Sequence, residues 1–446
     1  MEKRMCGFLE KEGIFSDNWD WRGGKKRFWG GKERGGGGGR PPSRYREEMN
    51  RGLRGRGSLR MMPSYLGVPK ELPKNKPVVA LDAGGTNLRI ALVTFPQSGA
   101  PLVEQIQSMA MPGSEEEISA GAFFEKLAEY LAPYLKQSDQ IGFCFSYTIE
   151  IQPDLDGIVA EMAKQIQIQG LEGVKIAEGL QRALEKQGTP AKRIVLLNDS
   201  TAVLLAGAML YGNQCSDILG FILGTGINAA YFESAKNISK ISSTSSEKMA
   251  INMEASRYNR IPGGKADALF DSTLKDPGRY AFEKRVSGRY LGGLALTVIK
   301  EAGKEGLLSP ACTERVEKLQ DLSTKDLEKF IACKTEGALA GLCGEEQDRQ
   351  ILLRMIEAVL DRAAKLVAIH LSSVILQTGK GKNPDEPIGI LAEGSTFQRF
   401  LFYQRKIKGY LAEILKENSL HAEFFAAEHT ALLGAAAAGL SESIVQ

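Results

Sequence analysis

Nine residues carry the most chemistry in this 446-residue chain: Leu81-Asp82-Ala83-Gly84-Gly85-Thr86-Asn87-Leu88-Arg89. They are entered from Val78-Val79-Ala80 and left through Ile90-Ala91-Leu92-Val93, so they read as a strand, a tight glycine turn and a second strand. Adjacent glycines tolerate positive φ and let a polyanion approach the backbone, while Asp82 puts a carboxylate where the Mg²⁺ of a nucleotide, or one of its waters, would sit. The spacing is not GxxxxGKS/T and no helix follows, which argues against a P-loop and a Rossmann turn. Roughly 140 residues later the logic returns in Gly220-Phe221-Ile222-Leu223-Gly224-Thr225-Gly226-Ile227-Asn228-Ala229-Ala230-Tyr231-Phe232. One such hairpin is common, but two suggest a duplicated domain clasping one nucleotide between its halves.

That architecture belongs to the actin, Hsp70 and sugar-kinase superfamily, and further landmarks resemble the hexokinase family in order over roughly residues 75 to 440. Gly142-Phe143-Cys144-Phe145-Ser146-Tyr147 is similar to its sugar-binding strand and Leu197-Asn198-Asp199-Ser200-Thr201-Ala202 to its catalytic motif. Ile251-Asn252-Met253-Glu254, Asp276-Pro277-Gly278, Phe282-Glu283-Lys284 and Ser287-Gly288-Arg289-Tyr290-Leu291-Gly292 follow, and Ile388-Gly389-Ile390-Leu391-Ala392-Glu393-Gly394-Ser395 resembles the strand and turn that hold adenosine.

The resemblance implies an α/β protein of two RNase H-like (actin-like ATPase) lobes with a deep cleft between them. It implies an ATP-dependent transfer of the γ-phosphoryl group to the 6-hydroxyl of glucose, with mannose or fructose as further substrates, as the opening step of glycolysis. ATP and Mg²⁺ are the cofactors. Asp199 takes the position of the catalytic base and Lys164 that of a residue offsetting the growing charge. Ser146, Lys164, Asn198, Asp199, Asn228, Glu254 and Glu283 fall on sugar-contact positions. Gly84, Gly85, Thr86, Asn87 and Arg89 form one nucleotide loop, Gly224, Thr225 and Gly226 the other, Gly394 and Ser395 the adenosine turn, and Asp82 holds Mg²⁺ through water. Four departures stand against the pattern: Ala163 for a threonine, Thr148 for a proline, Glu393 for an aspartate, and Ala431-Leu432-Leu433-Gly434-Ala435-Ala436 for a Gly-Ser-Gly-Lys-Gly-Ala turn. They leave open a sugar-binding sensor without turnover. An actin- or Hsp70-like ATPase is disfavoured, because no β-rich peptide-binding extension is present.

The elements that must position these groups are legible in outline. Residues 120–136 carry Phe123, Phe124, Leu127, Tyr130 and Leu131 at helical spacing, and 171–184 suggest a second helix. Val195-Leu196-Leu197 reads as a short buried strand that delivers Asn198-Asp199 at its carboxyl end, where open α/β sheets gather their chemistry. Ser200 or Asp199 would cap a helix over 201–210, and residues 351–376 form a long amphipathic stretch. The expected lobes are a small one over 63–198, completed by a helix at 435–446, and a large one over 199–434.

Residues 1–62 differ in kind. The first 60 hold sixteen Lys or Arg against eight Asp or Glu, so the rest of a chain of net charge +3 is acidic. All three tryptophans, Trp19, Trp21 and Trp29, lie there beside Gly35 to Gly39 and Arg54-Gly55-Arg56-Gly57. That composition reads as a disordered basic extension, with Met49, Met61 or Met62 as alternative starts and RNA as its one conceivable nucleic-acid partner. No run of 18 apolar residues and no apolar signal segment occur, so no membrane partner and a cytoplasmic location are expected. Six cysteines without a CxxC pair, and three histidines, argue against zinc.

Overall fold

The computed structural model describes residues 2–14, 41–69, 72–162, 166–241 and 247–441. Two mixed sheets repeat one topology. Strands β1 (Pro77–Gly84), β2 (Asn87–Thr94), β3 (Leu102–Ala110), β4 (Gln140–Phe145) and β5 (Arg193–Leu197) lie in the order β5-β4-β1-β2-β3. Strands β6 (Asp217–Leu223), β7 (Ile227–Ser234), β8 (Lys248–Asn252), β9 (Ile388–Glu393) and β10 (Ala422–Phe425) lie in the order β8-β7-β6-β9-β10, with the short strand Met62–Pro63 beyond β8. Each sheet is an antiparallel meander extended by two parallel strands. The central strands β1 and β6 are apolar almost throughout because both of their faces are covered.

Five helices matter most: α1 (Glu2–Lys11), α2 (Pro41–Leu53), α3 (Asp199–Tyr211), α4 (Glu346–Thr378) and α5 (Thr430–Leu440). α5 packs on β1 and β4, α3 packs on β6, and the two helices pack on each other, so they join the sheets into one body. Small residues permit this. A Cβ on Gly142 would lie 1.7 Å from the Ala435 carbonyl oxygen, one on Gly434 1.9 Å from that of Ala202, and one on Gly220 2.5 Å from the Leu204 nitrogen. A helix covered on all sides must be apolar all round, and α5 is buried along its whole length.

The expectation of disorder over 1–62 fails for the described part of that segment. In α2, Tyr45, Met49 and Leu53 are buried at i, i+4 and i+8, and the Tyr45 hydroxyl lies 2.7 Å from Nδ1 of His370 on α4. The Lys240 ammonium ties the following loop by donating to the carbonyls of Gly52 at 3.1 Å and Met61 at 2.6 Å. In α1, Met5, Phe8 and Leu9 join the same core, and Lys11 pairs with Glu305 at 2.5 Å. Averaged composition hid two amphipathic periods. Trp19, Trp21, Trp29 and the Gly35–Gly39 run lie outside the described residues.

Other boundaries shift for local reasons. The helix expected over 171–184 runs Ile176–Lys186, because Gly173 has φ 79° and the Asp156 carboxylate accepts from the amides of Ala177 at 2.7 Å and Glu178 at 3.0 Å, fixing a later start. The helix expected from 201 begins at Asp199, capped by Asn198 rather than by Ser200 or Asp199. Residues 431–436 lie inside α5, not in a turn. Pro63 pairs in the second sheet, so the chain enters its first lobe later than position 63.

Candidate functional site

Asp82 lies two residues from the end of β1, Ser146 follows β4, and Asn198 and Asp199 follow β5, so three parallel strands present their carboxyl ends together. From the second sheet, β6 runs into Gly224, β8 into Glu254 and β9 into Gly394. Strand ends, turns and helix starts in both halves carry the described residues expected at the site. Lys164 is the exception, since it lies outside the described residues.

The first turn is a two-residue hairpin with Gly84 opposite Asn87, and Gly85 adopts φ 57°. Gly85, Thr86 and Asn87 are exposed. Behind the turn Asp82 is buried, and its Oδ2 accepts from Arg89 Nε at 2.9 Å and also from Nη2. Ser146 lies close by: a Cβ on Gly84 would sit 3.5 Å from Asp82 Oδ1 and 3.6 Å from Ser146 Oγ. Burial works against the charge on Arg89, yet the adjacent Asp82 leaves its pKa above the ordinary value. Glu393, at the end of β9, joins this group. Burial and the charge of Asp82 raise its pKa, Arg89 opposes them, and the Thr430 hydroxyl donates to its Oε2.

The Asn198 side chain caps α3, its Oδ1 accepting from the Ser200 amide at 3.0 Å and the Ser200 hydroxyl at 2.9 Å. Asp199 is thereby fixed at the first position of the helix. Its pKa is pushed up to about 7, chiefly by burial and further by the charges of Glu254, Asp82 and Glu393, with the Ser200 amide opposing. Glu283 is likewise pushed up to about 7 by burial, against the Ile227 amide, which donates to its Oε2 at 3.1 Å. Glu254 adopts φ 54°, and its Oε1 accepts from Asn252 Nδ2 at 2.9 Å. Asn228 Nδ2 donates to Asn252 Oδ1 at 2.8 Å, while Asn228 Oδ1 accepts from the Ala255 amide at 3.2 Å.

Asn252 is the residue that sequence reasoning left without a role. Buried at the end of β8, it bonds to Asn228, Glu254 and Ser200, the last at 3.1 Å, and so fixes three side chains from two sheets. Its i, i+2 spacing from Glu254 on a strand end was the available signal.

The second turn is held differently. The Gly224 carbonyl accepts from the Gly288 amide at 2.9 Å and from Thr396 Oγ1 at 2.9 Å, and the Thr225 carbonyl accepts from the Arg289 amide at 3.3 Å. Gly394 packs against this turn, since a Cβ there would lie 2.7 Å from the Gly224 nitrogen. Two glycine-rich segments far apart in sequence therefore form one surface.

The likeness to known proteins follows this geometry. Two family models, both described as Hexokinase, match residues 42–209 and 218–441. The chain belongs to the hexokinase family. The first match begins inside α2, which places that helix within the family's own domain. Hexokinase-3 of Rattus norvegicus is 27% identical over 390 residues, which are 81% of this chain and 41% of that protein. The chain thus spans about two-fifths of that relative's length. The hexokinase of Schwanniomyces occidentalis is 26% identical over 401 residues, 81% of this chain and 80% of that protein. Among solved structures, a Schistosoma mansoni hexokinase complexed with glucose matches with a TM-score of 0.74 at 22% identity, covering 98% of this chain and 99% of that one, which shows a shared two-lobe fold.

Among the described residues no group of three or more His, Cys, Asp or Glu could cage a metal. Asp82 beside Glu393, facing an exposed glycine turn, suits a cation that arrives on phosphates and keeps most of its waters. Nor is any helix among the described residues long and apolar enough to cross a membrane.

Proposed function

We propose that this hexokinase-family protein transfers the γ-phosphoryl group of Mg-ATP to the 6-hydroxyl of glucose, with mannose and fructose as further substrates, in the opening step of glycolysis and in the cytoplasm. The observation that carries the reading is Asp199, fixed at the start of α3 with a pKa of about 7 and ringed by hydrogen-bonding side chains from both sheets. A hydroxyl is a poor nucleophile. A carboxylate of that pKa accepts its proton as the new O–P bond forms, worth about 10²–10⁴-fold, and is itself half deprotonated near neutral pH.

Ser146, Asn198, Asn228, Glu254 and Glu283 offer the sugar a ring of donors and acceptors, and Lys164 is assigned to it on the family motif alone. Buried polar groups of this kind penalise any sugar that lacks a matching hydroxyl, because they are left unpaired. Gly84 to Asn87 and Arg89 face the nucleotide from one lobe, and Gly224 to Gly226 with Gly394 and Ser395 from the other. Asp82 would hold Mg²⁺ through water, where the ion offsets phosphate charge. Closure of the lobes on the sugar would keep water from competing for the phosphoryl group.

The test is a coupled assay for ADP and hexose 6-phosphate with Mg-ATP and glucose, mannose, fructose, galactose and N-acetylglucosamine. Glucose-dependent turnover is expected; glucose binding without turnover would mean a sensor, and neither would end the reading.

A further inference from the structure

The sugar strand and the phosphate turn are tied at two points. The Ser146 amide donates to the Ala83 carbonyl at 3.0 Å, joining the end of β4 to the end of β1. The next residue, Tyr147, donates its hydroxyl to the Gly85 carbonyl at 2.5 Å. Tyr147 is buried, and its ring stacks obliquely on Phe145 with centroids 4.8 Å apart, so the hydroxyl is aimed by packing. Burial also raises its pKa, so the group stays a donor at neutral pH. On the far side of the turn the Thr86 carbonyl accepts from the Met111 amide at 2.9 Å.

A trans peptide holds C=O and N–H in one plane and pointing in opposite directions, and no peptide among the described residues is cis. Holding the Gly85 carbonyl therefore also fixes the direction of the Thr86 N–H. Gly85 has φ 57° and nothing within 4 Å of where a Cβ would stand, so the turn stands open on that side.

We propose that Tyr147 is a positioning residue that latches the phosphate turn to the sugar strand, aiming the Thr86 amide at the nucleotide and coupling occupancy of the sugar site to nucleotide affinity. The proposal rests on the hexokinase reading for its ligands. Tyr147→Phe keeps the ring and its contact with Phe145 and removes only the latch. In that variant the KM for Mg-ATP should rise about three- to tenfold, the scale of one lost hydrogen bond, with kcat within about twofold. The glucose Kd measured by calorimetry should hold within about twofold.

Two further readouts go beyond structure loss. Saturating glucose should lower the Kd for a non-hydrolysable Mg-ATP analogue in the parent protein, and that gain should shrink in Tyr147→Phe. Amide hydrogen exchange over residues 84–87 should quicken about tenfold in the variant while exchange in β4 holds. An unchanged KM for Mg-ATP with unchanged exchange would overturn the latch, as would equal losses toward sugar and nucleotide. Hydrogen exchange is independent of turnover, so a parent protein that fails to phosphorylate any hexose would sink the functional reading while the latch is still decided.

Discussion

The two glycine turns occupy equivalent places in two sheets of one topology, yet they are built to opposite ends. The Gly84–Asn87 turn stands exposed, is fastened from behind by Tyr147 and Met111, and has a buried carboxylate, Asp82, two residues before it. The Gly224–Gly226 turn is fastened by Gly288, Arg289 and Thr396 from two other segments, and apolar residues stand before it. One topology serves both halves, and the side chains placed on it differ. On the proposed reading the first sheet brings the groups that would meet charge, Asp82 and Arg89, with Asp199 just past the end of β5 where the two lobes join. The second brings much of what would recognise a sugar, Asn228, Glu254 and Glu283, with Asn252 ordering them.

Changes on the first side should therefore strike rate or nucleotide use, and changes on the second should strike sugar affinity. The largest expected effect is that of Asp199→Ala, which should lower kcat by about 10²–10⁴-fold while calorimetric glucose affinity changes little. Full turnover in that variant would remove the base and with it the proposed division.

Next come matched glycine substitutions. A Cβ at Gly226 would meet Glu283 Oε2 at 2.4 Å, so Gly226→Ala should displace that carboxylate and raise the glucose KM by about tenfold or more. At Gly85 nothing lies within 4 Å, and the penalty is only the positive φ, about 1 kcal/mol. Gly85→Ala should accordingly move the KM for Mg-ATP and spare that for glucose. Steady-state kinetics of the pair decide it, and the same pattern in both would dissolve the contrast.

Asn252→Ala leaves the amide of Asn228, the hydroxyl of Ser200 and the carboxylate of Glu254 short of a partner. It should cost about 1–3 kcal/mol in denaturant unfolding and raise the glucose KM, with the KM for Mg-ATP little changed.

The smallest effect is one of pH. Asp199 and Glu283 both have pKa values raised to about 7, so kcat/KM should climb as pH rises through 7. Stability runs the other way. A carboxyl whose folded pKa is raised binds more protons in the folded state, so its contribution is complete below the unfolded pKa near 4 and is lost as pH rises toward 7. Asp199→Asn should flatten that slope in unfolding measured from pH 4 to 7, and an unchanged slope would show that the carboxyl is not held neutral.

Much of this was legible in the chain because it is local. The Asp82-x-Gly-Gly hairpin, the strand ahead of Asn198-Asp199 and the long helix near 351–376 announce themselves through period and turn chemistry. The two N-terminal helices did not, because their apolar residues are diluted by basic and glycine-rich neighbours, and only contact with the second lobe and α4 makes their order worth its entropy. The cap of α3 was misassigned by one or two residues, since Asn198, Asp199 and Ser200 are all competent and only the bond of Ser200 to Asn252, 52 residues away, favours one arrangement.

The sequence by itself determined the two hairpins, the carboxylate that precedes the first of them and the apolar faces of most helices, because each depends on near neighbours in the chain. Tertiary structure alone decided which side chains order others. Asn252 joining Asn228 to Ser200, Tyr147 reaching Gly85 and Gly394 closing on Gly224 each link residues that sequence spacing does not mark as partners. The raised pKa of Asp199 belongs with them, since burial and converging like charges exist only once both sheets are assembled.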